Sequence, residues 1–289
     1  MLVARLILTV TLVLSFFSTL ALAGIQHWRF RNWNKYHNDD AGWRTEWGLP
    51  RSGGWSWPKG NTKNHAIVKD PAGGKGDYVL RVRYPAGSSN PAGKIQGGIG
   101  FYAQPVELPR TAKLVVFQYQ VYFPSNFTFV KGGKLPGLYG GHTACSGGSN
   151  SNSCFSTRFM WRTNGAGEVY AYLPEAEQRE SLCQESDVIC NPKYGYSLGR
   201  GSWTFARGKW VTVRQTVRLN TPGVRNGMVR VDVNWRHVYT ERRLAFVSNE
   251  TGKLLGIAFH TFFGGNGDDW APSSEQHAYF KDFHMFAYY

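Results

Sequence analysis

A chain of 289 residues with 33 Lys and Arg against 19 Asp and Glu carries a formal net charge of +14. A field of that sign gathers polyanions (nucleic acid, anionic membrane or acidic polysaccharide) and turns away basic ligands. No dense Lys/Arg run and no named nucleic-acid module accompanies it, so no nucleic acid is expected as a partner, while 11 Trp, 15 Tyr and 18 Phe offer rings that stack on sugars or fill a β core.

Residues 1–23 read as a secretory signal peptide: Arg5 precedes a mostly apolar run over 6–17, and Ala21-Leu22-Ala23 before Gly24 is a small-residue cleavage pattern. The rival reading, a membrane anchor, has an apolar stretch short for a span. Nothing later has the length and purity of a transmembrane helix. The processed protein, residues 24–289, is therefore expected to be secreted and extracellular, with no membrane partner after signal removal. Its length suits a single all-β domain with a full core, and a monomer is expected.

Alternation of apolar and polar residues marks strands over 78–84, 113–123, 210–219, 228–235, 256–263 and 278–287. In the second, Phe117, Tyr119, Val121 and Phe123 share one face; in the fourth, Val229, Val231, Val233 and Trp235 are expected to face inward. Gly, Pro and Asn clusters separate these runs, as at Pro222-Gly223 and Asn226-Gly227. No amphipathic helix of useful length stands out. The expected fold is all-β, a β-sandwich of the jelly-roll type. Asn126 and Asn249 head glycosylation sequons. Cys145, Cys154, Cys183 and Cys190 form an even set in an exported chain, which favours disulfides. Pairing Cys145 with Cys154 and Cys183 with Cys190 closes the shortest loops; the spacings do not suit a zinc site.

The most informative stretch runs over 132–174. A single lysine, Lys134, sits in what reads as a glycine-rich loop, with His142 just after it. In the strand-like run that follows, Ser156, Arg158 and Arg162 fall on one face with Met160 between them, and in the next run Glu168, Tyr170 and Tyr172 share a face. If the two strands pair across the turn at 163–167, cations, hydroxyls and phenols gather on one surface, and that surface suits an acidic sugar polymer.

Uronic-acid polymers are cut by β-elimination when a base removes the C5 proton beside the carboxyl group. Such a step needs the carboxylate and the developing enolate neutralised, and a lysine or phenol to move protons. Lys134, Arg158, Tyr170, Tyr172 and Ser156 supply those types. A nearby cation is expected to lower a tyrosine pKa and favour the phenolate. Gln96 and His142 are candidate substrate contacts. Arg162 is one too, although a cross-strand ion pair with Glu168, worth little in stability if exposed, is the plainer reading. His260 reads as core or cleft wall, and Asp268-Asp269 is weak evidence for calcium. No metal and no other cofactor is expected.

At these residues the chain resembles polysaccharide lyase family 14. The run Gly-Gly-Lys-Leu-Pro-Gly-Leu-Tyr-Gly-Gly from Gly132, the Ser-x-Arg strand and the Tyr-x-Tyr strand carry the resemblance, which returns at Phe262-Phe263-Gly264-Gly265 and from Trp270 through Phe283. It implies a jelly-roll lyase acting on alginate or glucuronan, with functional residues at Lys134, Ser156, Arg158, Tyr170 and Tyr172. The insertion between Cys145 and Cys154 lies between lysine and strand, where it would reshape the cleft. Two other classes compete. A non-catalytic binder of acidic polysaccharide would release no unsaturated ends. A glycoside hydrolase needs two carboxyl groups flanking the scissile bond, and the candidate face offers only Glu168.

Overall fold

Period-two burial organises the chain into strands. In the strand Leu114–Tyr122 (β6), Val115, Phe117, Tyr119 and Val121 are wholly buried, because every second side chain meets the opposite sheet. The computed structural model describes residues 24–289 apart from 32, 50–53, 59–62, 74–76, 146–150, 192–193, 250–251 and 266. The export signal read at 1–23 therefore lies outside the described residues, as does the rest of the second sequon after Asn249. Asn126 and Asn249 themselves are exposed.

Two antiparallel sheets face each other as a jelly-roll sandwich. The first runs Arg236–Leu244 (β14), Gly227–Val233 (β13), Trp210–Arg218 (β12), β6, Gln276–Tyr288 (β16), Tyr78–Tyr84 (β4) and His65–Lys69 (β3), with Ile25–Phe30 (β1) also pairing with β16. The second runs Val188–Asn191 (β10), Gly195–Leu198 (β11), Gly167–Tyr172 (β9), Phe155–Arg162 (β8), Gly132–Gly140 (β7), Leu254–Phe263 (β15), Ile99–Ala103 (β5) and Trp55–Trp57 (β2). A short helix, Asp40–Glu46 (α1), inserts Trp43 beside Trp33 and Trp47. Between the sheets the core is largely aromatic; Phe101 stacks on Phe259 and Trp47 meets Phe283 edge-on, each at 4.7 Å. Such pairs add about 0.5–1.5 kcal/mol beyond the area they bury.

Two expectations are corrected. The glycine-rich run is the strand β7, not a loop. A Cβ on Gly133 would run into the Trp161 ring, and one on Gly137 into the Thr157 carbonyl; these glycines let β7 lie close on β8 rather than loosening it. Trp235 does not follow the valines of β13 into the core. It sits in the turn after Val233 and is 68 % exposed. Both cysteine pairs form as expected, Cys145 with Cys154 and Cys183 with Cys190.

Three hydrogen bonds cross the sandwich interior and land on neighbouring strands of the second sheet. Thr157 Oγ1 on β8 donates to Gln215 Oε1 at 2.6 Å, Tyr119 OH donates to the Pro136 carbonyl of β7 at 3.1 Å, and Tyr84 OH lies 2.5 Å from Thr261 Oγ1 of β15. Each is buried, where a polar group without a partner is costly, so they hold the register of the strands that carry the residues described next.

Candidate active site

The outer face of the second sheet gathers the chemistry. Pairing of β8 with β9 sets Ser156 opposite Tyr172, Arg158 opposite Tyr170 and Met160 opposite Glu168. On the other side of β8, Lys134 of β7 pairs with Met160. Inward neighbours Phe155, Phe159, Trp161, Val169 and Ala171 are buried in the core, so the polar set points away from it. Lys134, Ser156, Arg158, Tyr170 and Tyr172 thus share one face.

The face is tightly packed. Lys134 Nζ lies 3.3 Å above the centre of the Tyr170 ring and 3.1 Å from Met160 Sδ. The Arg158 guanidinium sits 4.8 Å over the Tyr172 ring, and the two tyrosine rings meet edge-on at 5.6 Å. The Cys145–Cys154 disulfide packs into the same cluster with Met160, Tyr170, Tyr172 and Trp270.

β7 is irregular here, with register shifts against β8 between Lys134 and Gly137 and in β15 between Ala258 and Phe262. Arg158 Nη1 reaches across to His260 Nδ1 at 3.2 Å. A guanidinium only donates, so Nδ1 accepts. Burial, then the charge of Arg158, holds His260 well below the usual imidazole range; the neutral ring carries its proton on Nε2. Trp57 and Tyr102 wall the imidazole at 4.8 and 4.7 Å. Ser156 Oγ, Arg158 Nε and His260 Nε2 are all buried and have no hydrogen-bond partner among the described residues. Each such group costs about 1–3 kcal/mol left unmade, and these three lie together where an acceptor would satisfy them.

Electrostatics correct one expectation. The cations do not bring Tyr170 toward phenolate. Burial raises its pKa, Tyr172 and Glu168 reinforce this, and Arg162 and Arg158 do not offset it, so the phenol keeps its proton. The lysine shifts the other way. Burial, then repulsion from Arg158 and Arg162, hold Lys134 well below the usual amine range despite Glu168.

The expected Arg162–Glu168 ion pair forms, and it is largely buried. Glu168 is wholly buried and accepts from Arg162 (2.6 Å), Arg200 (2.7 Å) and the Ser197 hydroxyl. Burial works against its charge, but the two arginines outweigh burial and hold the carboxyl below its usual range. Arg162 is thereby fixed over the edge of the site, 5.6 Å from the Tyr170 ring and 5.8 Å from the Trp270 ring. Replacing Glu168 by Ala strands two arginines, and an unfolding titration is expected to show a loss of about 3–5 kcal/mol; a loss under 1 kcal/mol would mean the network is not load-sharing.

Two sequence candidates have local partners of their own. The Gln96 amide donates to the Pro91 carbonyl at 2.6 Å. His142 is exposed, and its ring lies against Thr143 O and Ser153 Oγ at 2.6 and 3.1 Å, on the disulfide loop. Among the described residues no group of three or more His, Cys, Asp or Glu is placed to hold a metal ion. Arg200 and Ser197 went unread because nothing in the local pattern around β11 links them to a glutamate about 30 residues earlier.

Comparison with known proteins bears on the family and the fold. The polysaccharide lyase 14 family matches over residues 72–283. The crystal structure of a marine PL-14 alginate lyase from Aplysia kurodai is similar, with 36 % identity and a TM-score of 0.70 over 77 % of this chain and 86 % of that one. An alginate lyase from Chlorella virus is 26 % identical, with a TM-score of 0.65 over 78 % and 90 % of the two chains. A curated relative, Exolysin of Paramecium bursaria Chlorella virus 1, is 27 % identical over an alignment 175 residues long that covers 52 % of this chain; the chain spans about a quarter, 26 %, of that protein's length. With the family matched over most of the chain and the fold shared with a PL-14 lyase 36 % identical to it, this protein belongs to polysaccharide lyase family 14.

Proposed function

We propose that this lyase is exported and cleaves a uronic-acid polymer, alginate or glucuronan, by β-elimination without a metal. One observation carries the reading: three buried, unpartnered donors, Ser156 Oγ, Arg158 Nε and His260 Nε2, stand beside a lysine whose amine is pushed toward neutrality. The alginate named for the Aplysia relative favours alginate as the first polymer to try. Two disulfides suit an oxidising destination, in keeping with the export signal read at 1–23.

In the proposed reaction the substrate carboxylate accepts from Arg158, Ser156 and His260. The guanidinium supplies the positive charge that stabilises the enolate. Lys134, as neutral amine, takes the C5 proton; the electron pair becomes the C4–C5 double bond as the bond from C4 to the bridging oxygen breaks. Tyr170, kept protonated by burial, gives its proton to that oxygen. Tyr172 supports the guanidinium from below, and Arg162 faces a neighbouring uronate. The rate therefore rises with pH as Lys134 loses its proton, below the ordinary lysine value of 10.5.

Incubation with polymannuronate, polyguluronate and glucuronan, followed by ultraviolet absorbance of the unsaturated product, tests the reading. A rise with at least one polymer is expected. New reducing ends without absorbance would mean hydrolysis, and retention of polymer without cleavage would mean a binding protein.

A further inference from the structure

The active site accounts for little of the chain's charge. Lys134, Arg158, Arg162 and Arg200 stand against Glu168, which leaves three of the formal +14. A second concentration of cations lies on the outer face of the first sheet. Across β12, β13 and β14, Arg218, Met228 and Arg242 form one row, Thr216, Arg230 and Thr240 the next, and Arg214, Asp232 and His237 the third. The intervening Val229, Val231 and Val233 are buried, so these rows face outward. Four arginines meet one aspartate there, and that aspartate is already paired with Arg230 at 2.6 Å.

At one end of the rows stands Trp235. It forms, with Asn234, the two-residue turn joining β13 to β14. Both residues have positive φ, 48° and 67°. Such turns favour Asn followed by Gly, and a bulky side chain at positive φ is strained. The turn is clamped to β12: Asn234 N–H donates to the Thr212 carbonyl and Thr212 N–H donates to Asn234 Oδ1, each at 2.9 Å. The turn backbone is thus held in place, with the indole 68 % exposed, in a conformation that glycine would fit with less strain. Folding gives no reason for a tryptophan there. Beside it Arg214, Thr216, Arg230 and Asp232 line a depression of about 290 Å³, and Arg214 Nε has no hydrogen-bond partner among the described residues.

We propose that this face is a second, non-catalytic binding site for a strand of acidic polysaccharide. A sugar ring stacks on Trp235, and uronate carboxylates pair with Arg214 and Arg230, whose forked donors match a carboxylate. The site lies on the sheet opposite the active site and keeps the lyase on long polymer between cuts. The choice of occupant rests on the proposed substrate class and on charge complementarity.

The test is affinity electrophoresis through gels containing the polymer, run in a Lys134→Met background so that almost nothing is cut. Trp235→Gly and Arg214→Ser/Arg230→Ser are each expected to weaken retardation about threefold or more. With Lys134 intact, the same substitutions should leave turnover of a uronate tetrasaccharide, too short to reach both faces, unchanged. Trp235→Gly should melt no lower than its parent, because glycine suits the turn. Unchanged retardation overturns the proposal. So does a parallel fall in tetrasaccharide turnover, or an equal effect in gels containing DNA, which would make the face a general cation surface. A parent protein that cleaves no uronate polymer would sink the proposed function, while the retardation comparison would still decide this second site.

Discussion

Lys134→Met is expected to lose nearly all lyase activity and to make the protein more stable. Methionine has nearly the same length and leaves the packing against Met160 and Tyr170 intact. The loss of a proton-transfer group costs about 10²–10⁴ in rate. Stability moves the other way. Between the lowered pKa of Lys134 and the ordinary 10.5, the unfolded chain binds a proton that the folded chain resists, so wild-type stability falls as pH falls through that window. Methionine removes the penalty. A gain of about 0.5–2 kcal/mol is expected, equivalent to about 2–4 °C in Tm per kcal/mol for a chain of this size. The gain should be larger at pH 6 than at pH 10. Calorimetry of the two proteins at both pH values checks this; a destabilised variant at pH 6 would show that the amine is a structural cation and not a poised base.

Tyr170→Phe should lose about 10²–10⁴ in kcat with little change in stability. The ring under Lys134 stays, and only the hydroxyl goes. An acid that protonates a leaving oxygen matters less when the leaving group is already good. The deficit should therefore shrink on a 4-O-aryl uronate, from whose C4 a phenolate departs unaided. Tyr172→Phe keeps the platform beneath Arg158 and is expected to cost far less. Equal losses in the two variants, or a Tyr170→Phe deficit that ignores the leaving group, would move the acid role elsewhere.

Much of this site was legible because strand alternation is local. Ser156, Arg158 and Arg162, and then Glu168, Tyr170 and Tyr172, lie two or four residues apart, and the short turn between them makes the pairing nearly unavoidable. What escaped depends on distance along the chain or on depth. His260 reaches Arg158 only because β15 lies beyond β7 and the register shifts at the bulges. Glu168 and Tyr170 alternate like residues on an exposed face, and nothing in their spacing reveals that both are buried, which is what reverses the expected tyrosine shift. The strand β7 was hidden by its glycines, whose role is to admit Trp161 and the β8 backbone. β14 was hidden by its arginines: of Arg236–Leu244 only Tyr239, Glu241 and Leu244 are buried. Trp235 shows the opposite limit, since alternation carried it inward where the turn swings it into solvent.

Arg158 is the residue on which carboxylate neutralisation turns, and esterified substrate isolates that role. On native polymer, Arg158→Met is expected to reduce kcat/KM by about 10²–10³. On the methyl-esterified polymer the carboxyl group has no charge to neutralise, and the C5 proton is already more acidic. There the variant should fall behind the wild type by no more than about tenfold. A penalty of the same size on both polymers would mean that the guanidinium does not act by quenching the uronate charge, and elimination assisted by this face would have to be abandoned.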